Sequence, residues 1–339
     1  MINKYSKVYV LCPPYVKTGG TELLHQLVHQ INSLGGNAFI VYQAKSKEDA
    51  HVSKAFSIYI NNFLVPEQID DNENNLLIVP EIYCYLLNRF CYIKKAVWWL
   101  SVDNFLLFDG GFKGRIQQRG FFKGVLGALH GLTRQEFHNS YGLLHNADMH
   151  LCQSYYAIDF LAKLGITKNI LYLSDYINDV YIENSSKIDL NKKDDIVLYN
   201  PKKGFEFTRK LIEQGKDIHW VAIQGMTTEE VQDLMRRSKV YIDFGNHPGK
   251  DRIPREAAMS FCCVITGKRG SAAFSEDVPI PEMYKFDDND KQINNIIKLI
   301  CSCVKNYDSR INDFTEYRQF ILGEKQKFTD DIKTIFFAE

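Results

Sequence analysis

The sequence predicts an α/β protein made of two successive open parallel sheets. Three observations carry this. The chain has 339 residues, which at roughly 150 residues per domain suggests two domains. Short apolar runs of strand length alternate with segments whose apolar residues recur at helical spacing. The strand candidates are continuous rather than alternating in polarity, as parallel strands covered on both faces should be.

Residues 7–12 form the first β-branched run, and in residues 21–34 Leu23, Leu24, Leu27, Val28, Ile31 and Leu34 share one helical face. Gly35 and Gly36 stop that helix, and residues 37–42 begin the next strand, giving a βαβ opening. Buried-strand candidates follow at 76–79, 96–100 and 149–153. The polar stretch 183–195 reads as a connection. A second alternation then runs through strands at 196–199, 219–223, 240–244 and 262–266, with helices at 205–214, 227–237 and 255–261. Thr227 and Glu230 form a capping-box pair at the start of one of these helices. The expected domains are 1–180, 190–312 and a helical segment at 313–339 that packs back on the first domain. Two such sheets leave a cleft between them.

Composition bounds the function. The chain carries 41 Lys and Arg against 41 Asp and Glu, so it has no global polycationic character and no nucleic-acid partner is expected. No apolar run approaches the ~20 residues needed to span a bilayer. The first seven residues lack the apolar core of a secretory signal, so a cytoplasmic protein is expected. The eight cysteines show no paired C-x-x-C zinc spacing and read as reduced core residues.

In an open parallel sheet, ligands collect at the carboxyl ends of the strands, where helix N-termini favour anions. Four loops occupy that position. Gly19 and Gly20 sit between the first strand and helix, and serve either a structural turn or close approach of a ligand. Lys203 and Gly204 follow the first strand of the second half. The segment from Asp243 to Ala258 brings His247, Lys250, Arg252, Arg255 and Glu256 to a helix start, with Pro254 where a first-turn proline is tolerated. Three cations at a positive helix end oppose the dipole, so a bound anion would offset their repulsion, while Glu256 suits vicinal sugar hydroxyls. A solvated cluster paired with Asp251 and Glu256 is the alternative. Gly270 and Ser271 lie in a glycine-bracketed basic turn after the next strand and offer N–H groups to phosphate. None of these loops matches G-x-G-x-x-G or the Walker pattern.

The order of these elements, and above all the PREAA helix start followed by Cys262-Cys263-Val264-Ile265-Thr266, resembles a glycosyltransferase of the two-Rossmann (GT-B) type, most similar to the glycosyltransferase family 4-like group. The resemblance covers most of the chain and is specific mainly from Val240 to Ala272. It implies two Rossmann-like domains, the first on the acceptor side and the second binding a nucleotide-sugar donor. It also implies that Glu256 binds the donor ribose, that Lys203, Lys250 and Arg252 bind its diphosphate, and that Gly19 and Gly20 lie against sugar and phosphate. One departure stands out. The family often has a second glutamate eight residues before the first, where this chain has Pro248 beside His247. The sugar contact is then left to His247, to Asp251 or to neither.

The expected reaction is sugar transfer from a nucleotide-sugar to a cell-surface polysaccharide, lipopolysaccharide or other glycan, with fixed positive groups stabilising the leaving diphosphate and no metal or other cofactor. The D-x-D within residues 287–290 reads as a solvated turn. An inverting outcome would require a general base from the first domain, for which Asp103 is the leading candidate and Glu81 the second; a turn or cap role is the alternative for both. His130, His138 and His145 read as surface or packing residues. The segment from Phe105 to Val125 interleaves aromatic residues with Lys113, Arg115, Arg119 and Lys123 at a charge of +3. It suits either the headgroup boundary of an anionic membrane, with a lipid-linked acceptor and peripheral contact on the inner face, or inward packing. The rival functions are an epimerase or hydrolase on the same fold and a catalytically silent nucleotide- or glycan-binding subunit.

Overall fold

A computed structural model of the chain describes residues 2–50, 52–133 and 137–338. It divides into two compact units: residues 1–175 with 326–339, and residues 176–325. The boundary thus falls slightly before the polar stretch at 183–195, and the final helix is shared between the units instead of forming a separate segment.

The first unit holds a sheet of six parallel strands: β1 (Val8–Cys12), β2 (Ala38–Tyr42), β3 (Leu76–Pro80), β4 (Lys94–Trp99), β5 (Met149–Cys152) and β6 (Ile170–Tyr172), in the order β2-β1-β3-β4-β5-β6. β1 and β3 are buried at every residue, which is why their sequences are apolar throughout. Helix α1 (Gly19–Ser33) starts on a capping box between Thr18 and Thr21 and buries Leu23, Leu24, Leu27, Val28 and Ile31. At roughly 1.5–3 kcal/mol for each fully buried aliphatic side chain, that face fixes the helix on the sheet. His25 on the same face is buried between the Thr21 carbonyl and the Tyr42 hydroxyl, 2.7 and 2.6 Å away.

The second unit holds five parallel strands, β7 (Asp194–Tyr199), β8 (His219–Ala222), β9 (Ser238–Asp243), β10 (Cys263–Gly267) and β11 (Lys285–Phe286), in the order β11-β10-β9-β7-β8. β6 and β11 are too short and too poorly patterned to be visible in the sequence. The helix between β9 and β10 starts at Arg252, not Arg255, so Pro254 is its third residue and Asp251 its N-cap position. The last helix, Thr315–Phe336, begins in the second unit, and its end belongs to the first, where Phe337 and Ala338 pair antiparallel with Asn3 and Ile2.

The region after β4 divides between the two readings of its sequence. Phe105 and Leu106 are buried in the core of the first unit, as the inward-packing alternative expects. Two helices then follow, Gly111–Arg119 and Phe121–Thr133. Their ends are drawn together where the Gly111 N–H donates to His138 O and the Ser140 N–H to Asp109 O.

Candidate functional site

The loops after β7, β9 and β10 come from three neighbouring strands, and they are knitted to one another by backbone. Gly204 has a φ of 60°, and a Cβ there would lie 2.1 Å from the Phe244 carbonyl oxygen. Gly270 has a φ of 59°, and its Cβ would lie 2.0 Å from the His247 carbonyl oxygen. Only glycine allows such approaches. The Ser271 N–H donates to His247 O at 2.8 Å, and the Ser271 hydroxyl donates to Gly249 O at 2.6 Å. Gly270 and Ser271 therefore shape the rim. Ser271 itself is fully buried and its hydroxyl proton is already engaged.

The basic residues of the β9 loop separate into two groups. Lys250 Nζ stands 2.8 Å from Glu324 Oε1, and Arg255 Nη1 stands 2.7 Å from Glu324 Oε2, with all three side chains almost wholly buried. Arg255 also donates to the carbonyls of Lys250 and Asp251 at 2.8 and 3.1 Å. These two cations anchor the last helix of the chain to the loop, a use the sequence reading did not foresee because Glu324 lies 69 residues beyond Arg255. Arg252 and Glu256 are half-buried. The Tyr181 hydroxyl donates to the Glu256 carboxylate, and that carboxylate, after burial, raises the pKa of Tyr181 above its usual value. Lys203 Nζ lies 2.7 Å from Asp251 Oδ2, with about a third of its side chain exposed.

His247 is fully enclosed between two carboxylates, Nε2 3.6 Å from Asp243 Oδ1 and Nδ1 3.4 Å from Asp251 Oδ2. Among the described residues these three are the group whose donor atoms, all within 4.8 Å, could hold a metal ion. The carboxylate oxygens nearest His247 are already engaged. Asp243 accepts from the Tyr241 hydroxyl and the Gly245 N–H at 2.8 and 2.9 Å, and the ammonium of Lys203 occupies Asp251. A divalent cation there would face Lys203 at close range.

Beside this rim lies a cavity of about 360 Å3 lined by Gly204, Phe205, Glu206, Lys210, Phe244, Arg269 and Asp288 among others. Arg269 pairs with Asp288 and Lys210 with Asp290. The carboxylates of the D-x-D are therefore engaged by cations of the neighbouring loop and helix; Asp288 lines the cavity, while Asp287, Asn289 and Asp290 are exposed, as a solvated turn would be. Arg269 belongs to the basic turn that the sequence offered to phosphate, whereas Phe205 and Lys210, on the helix that follows β7, were missed as lining residues. The signal available was the position of that helix after the Lys203-Gly204 loop.

In the first unit, Gly19 and Gly20 open α1, and a Cβ at Gly20 would meet Leu100 Cδ1 and Thr18 Oγ1 at an ordinary 3.6 and 3.8 Å. Asp103 lies just beyond the carboxyl end of β4, mostly buried, with Oδ2 accepting from Gln118 at 2.8 Å and Oδ1 from the Tyr156 hydroxyl at 3.4 Å. Glu81 is buried and accepts from the N–H groups of Leu100 and Ser101 and from the Asn104 side chain; burial nonetheless pushes its pKa up to about 7. It braces the ends of β3 and β4. His130 and His145 are exposed, and His138 stacks on Tyr85 at 3.8 Å.

No protein-family profile matches the chain. It is 23% identical over 254 residues to an alpha-1,6-glucosyltransferase of Actinobacillus pleuropneumoniae serotype 7 (strain AP76), covering 73% of this chain and 68% of that protein. Its fold is similar to sucrose-phosphate synthase of Thermosynechococcus elongatus, with a TM-score of 0.64, 10% identity and coverage of 97% and 98% of the two chains. It is likewise similar to Anabaena HepE in complex with UDP, with a TM-score of 0.58, 11% identity and coverage of 97% and 100%. The two parallel-sheet units are those of the GT-B architecture. Taken with the sequence relationship, they make this chain a glycosyltransferase.

Proposed function

We propose that the chain, as a member of the family 4-like group, transfers glucose or a related hexose from a uridine diphosphate sugar to a glycan acceptor. The observation that carries this is the meeting of three strand-end loops in the second unit, where Lys203, Arg252 and Glu256 stand at one carboxyl rim beside a cavity large enough for a nucleobase. HepE has been seen with UDP and with UDP-glucose, and the sequence relative is a glucosyltransferase; both support a uridine donor and a glucosyl group.

In this reading Glu256, its carboxylate oriented by Tyr181, accepts the ribose hydroxyls. Lys203 and Arg252 stabilise the charge that develops on the leaving diphosphate, so that no metal is required. Lys250 and Arg255 act at one remove, holding the loop through Glu324. The buried His247 and the backbone of Gly270 and Ser271 set the loop's shape. In the first unit Asp103, at the carboxyl end of β4, is the residue assigned to the acceptor hydroxyl. The protein works in the cytoplasm on a cell-surface polysaccharide, lipopolysaccharide or other lipid-linked glycan, in peripheral contact with the membrane.

The test is release of UDP from UDP-glucose in a coupled assay, with and without glycan acceptors and with a chelator. Acceptor-dependent release that survives the chelator supports the proposal. Release without any acceptor would instead indicate a hydrolase, and UDP binding without turnover would indicate a silent binding subunit.

A further inference from the structure

The two helices at 111–133 are assembled inside out. The second, Phe121–Thr133, buries Gly124, Ala128 and Gly131, its small residues, and packs by them on the first helix. A Cβ at Gly124 would lie 2.6 Å from Ile116 Cα, and one at Gly131 would lie 2.6 Å from Arg115 Nη1, so the glycines set how closely the pair packs. Its large apolar residues face outward: Phe121 is 64% exposed, Phe122 81%, Leu126 67%, Leu129 51% and Leu132 47%. Phe122, Leu126 and Leu129 follow the i, i+4, i+7 spacing of one helical stripe. A helix in water buries such a stripe and exposes its small residues. The reverse arrangement is that of helices in lipid, which associate through small residues and turn their large ones outward.

The charges agree with this. Residues 110–133 contain four Lys or Arg and no Asp or Glu. Gln118, Arg119 and Lys123 line an open depression of about 700 Å3 together with Leu126 and Gly127. It therefore sets two cations directly against the apolar stripe, as a phosphate-bearing headgroup above acyl chains requires. At 13 residues the helix is too short to cross a bilayer, and among the described residues no helix is long and apolar enough to do so.

We propose that this helical pair is a monotopic docking element for an anionic phospholipid surface, with the depression between Arg119 and Lys123 seating a lipid headgroup phosphate. The inference deepens the reading of a lipid-linked acceptor and rests on it for its purpose. It also names a connection: Gln118, which lines the headgroup depression, donates to Asp103 at the carboxyl edge of the first sheet. Docking and the acceptor-side carboxylate thus share one side chain.

The experiment is co-sedimentation of the full chain with phosphatidylcholine vesicles, with and without phosphatidylglycerol, at low and high salt and in the absence of nucleotide. The wild type is expected to bind only the anionic vesicles. Phe122→Ser with Leu126→Ser should weaken binding about tenfold or more, and Arg119→Ala with Lys123→Ala should weaken it by a similar factor while flattening its salt dependence. All four positions are exposed, and the UDP-induced thermal shift of each variant reports whether it remains folded. No binding of the wild type to anionic vesicles at low salt overturns the proposal. So does equal binding by the variants, or a wild-type dimer that the apolar variants convert to monomer, which would assign the stripe to a second copy. Vesicle binding without any UDP shift would leave docking intact and overturn the donor reading instead.

Discussion

Arg255 and Glu324 face each other at 2.7 Å with 1% and 2% of their side chains exposed, and the second oxygen of Glu324 holds Lys250 at 2.8 Å. Two cations that a reading of the loop alone assigns to a diphosphate are thus neutralised by a carboxylate from the last helix of the chain. The arrangement makes the loop's conformation depend on that helix. Removing Glu324 leaves two buried charges without their counterion, which typically costs about 3–5 kcal/mol. Glu324→Ala should lower the midpoint of denaturant unfolding accordingly, while Glu324→Gln should lose somewhat less. An unchanged midpoint in both variants would show that the cluster is solvated.

Glu256 is expected to act on the ligand, not on the fold. Half-buried and bonded by the Tyr181 hydroxyl, it lies outside the Glu324 cluster. With UDP at about a hundred times its dissociation constant, binding should stabilise the wild type by about 2.7 kcal/mol. Glu256→Ala and Arg252→Ala should each abolish that shift while leaving the ligand-free melting temperature within a few degrees of wild type. A full shift in both variants would move the ribose and diphosphate elsewhere.

Two glycines that look alike in sequence should behave differently. Gly204→Ala forces a Cβ to within 2.1 Å of the Phe244 carbonyl oxygen at a positive φ, so the β7 and β9 loops must separate. A loss of several kcal/mol and of UDP binding is expected together. Gly20→Ala meets a leucine methyl at 3.6 Å and the Thr18 hydroxyl at 3.8 Å, both ordinary contacts, in the first turn of a helix, where alanine is the better helix former. It should leave stability unchanged or slightly raised, so that any defect it causes is read in turnover alone.

Asp109 supplies a pH dependence. Burial pushes its carboxyl up to about 7 despite bonds from the Ser140 hydroxyl and the N–H groups of Cys84 and Tyr85. Because its folded value is raised, its contribution to stability is complete below the unfolded value near 3.8 and is lost as pH rises through about 7. Glu81 acts in the same direction, whereas His25 and His150, lowered to about 4, act oppositely. The single-site comparison isolates the effect: wild type should lose stability relative to Asp109→Asn, by a few kcal/mol at most, between pH 4 and pH 8. A difference in melting temperature that is constant with pH would show that Asp109 stays charged throughout.

The alternation of strands and helices is legible in the sequence alone, because the unbroken burial of β1 and β3 demands continuous apolar runs and the one-sided burial of α1 demands apolar residues at helical spacing. It also located the loops after β7, β9 and β10, since the end of an apolar strand followed by glycine and basic residues is a local pattern. How the charges pair there is set by contacts distant in the chain. The partner of Lys250 and Arg255 is 69 or more residues away in the chain, and the D-x-D after β11 meets Arg269 and Lys210 only when the loops close on one another. The outward stripe at Phe122 and Leu126 was hidden for a related reason. Composition records that aromatic and basic residues are neighbours, but the direction each one faces follows from glycines that allow one helix to pack against another.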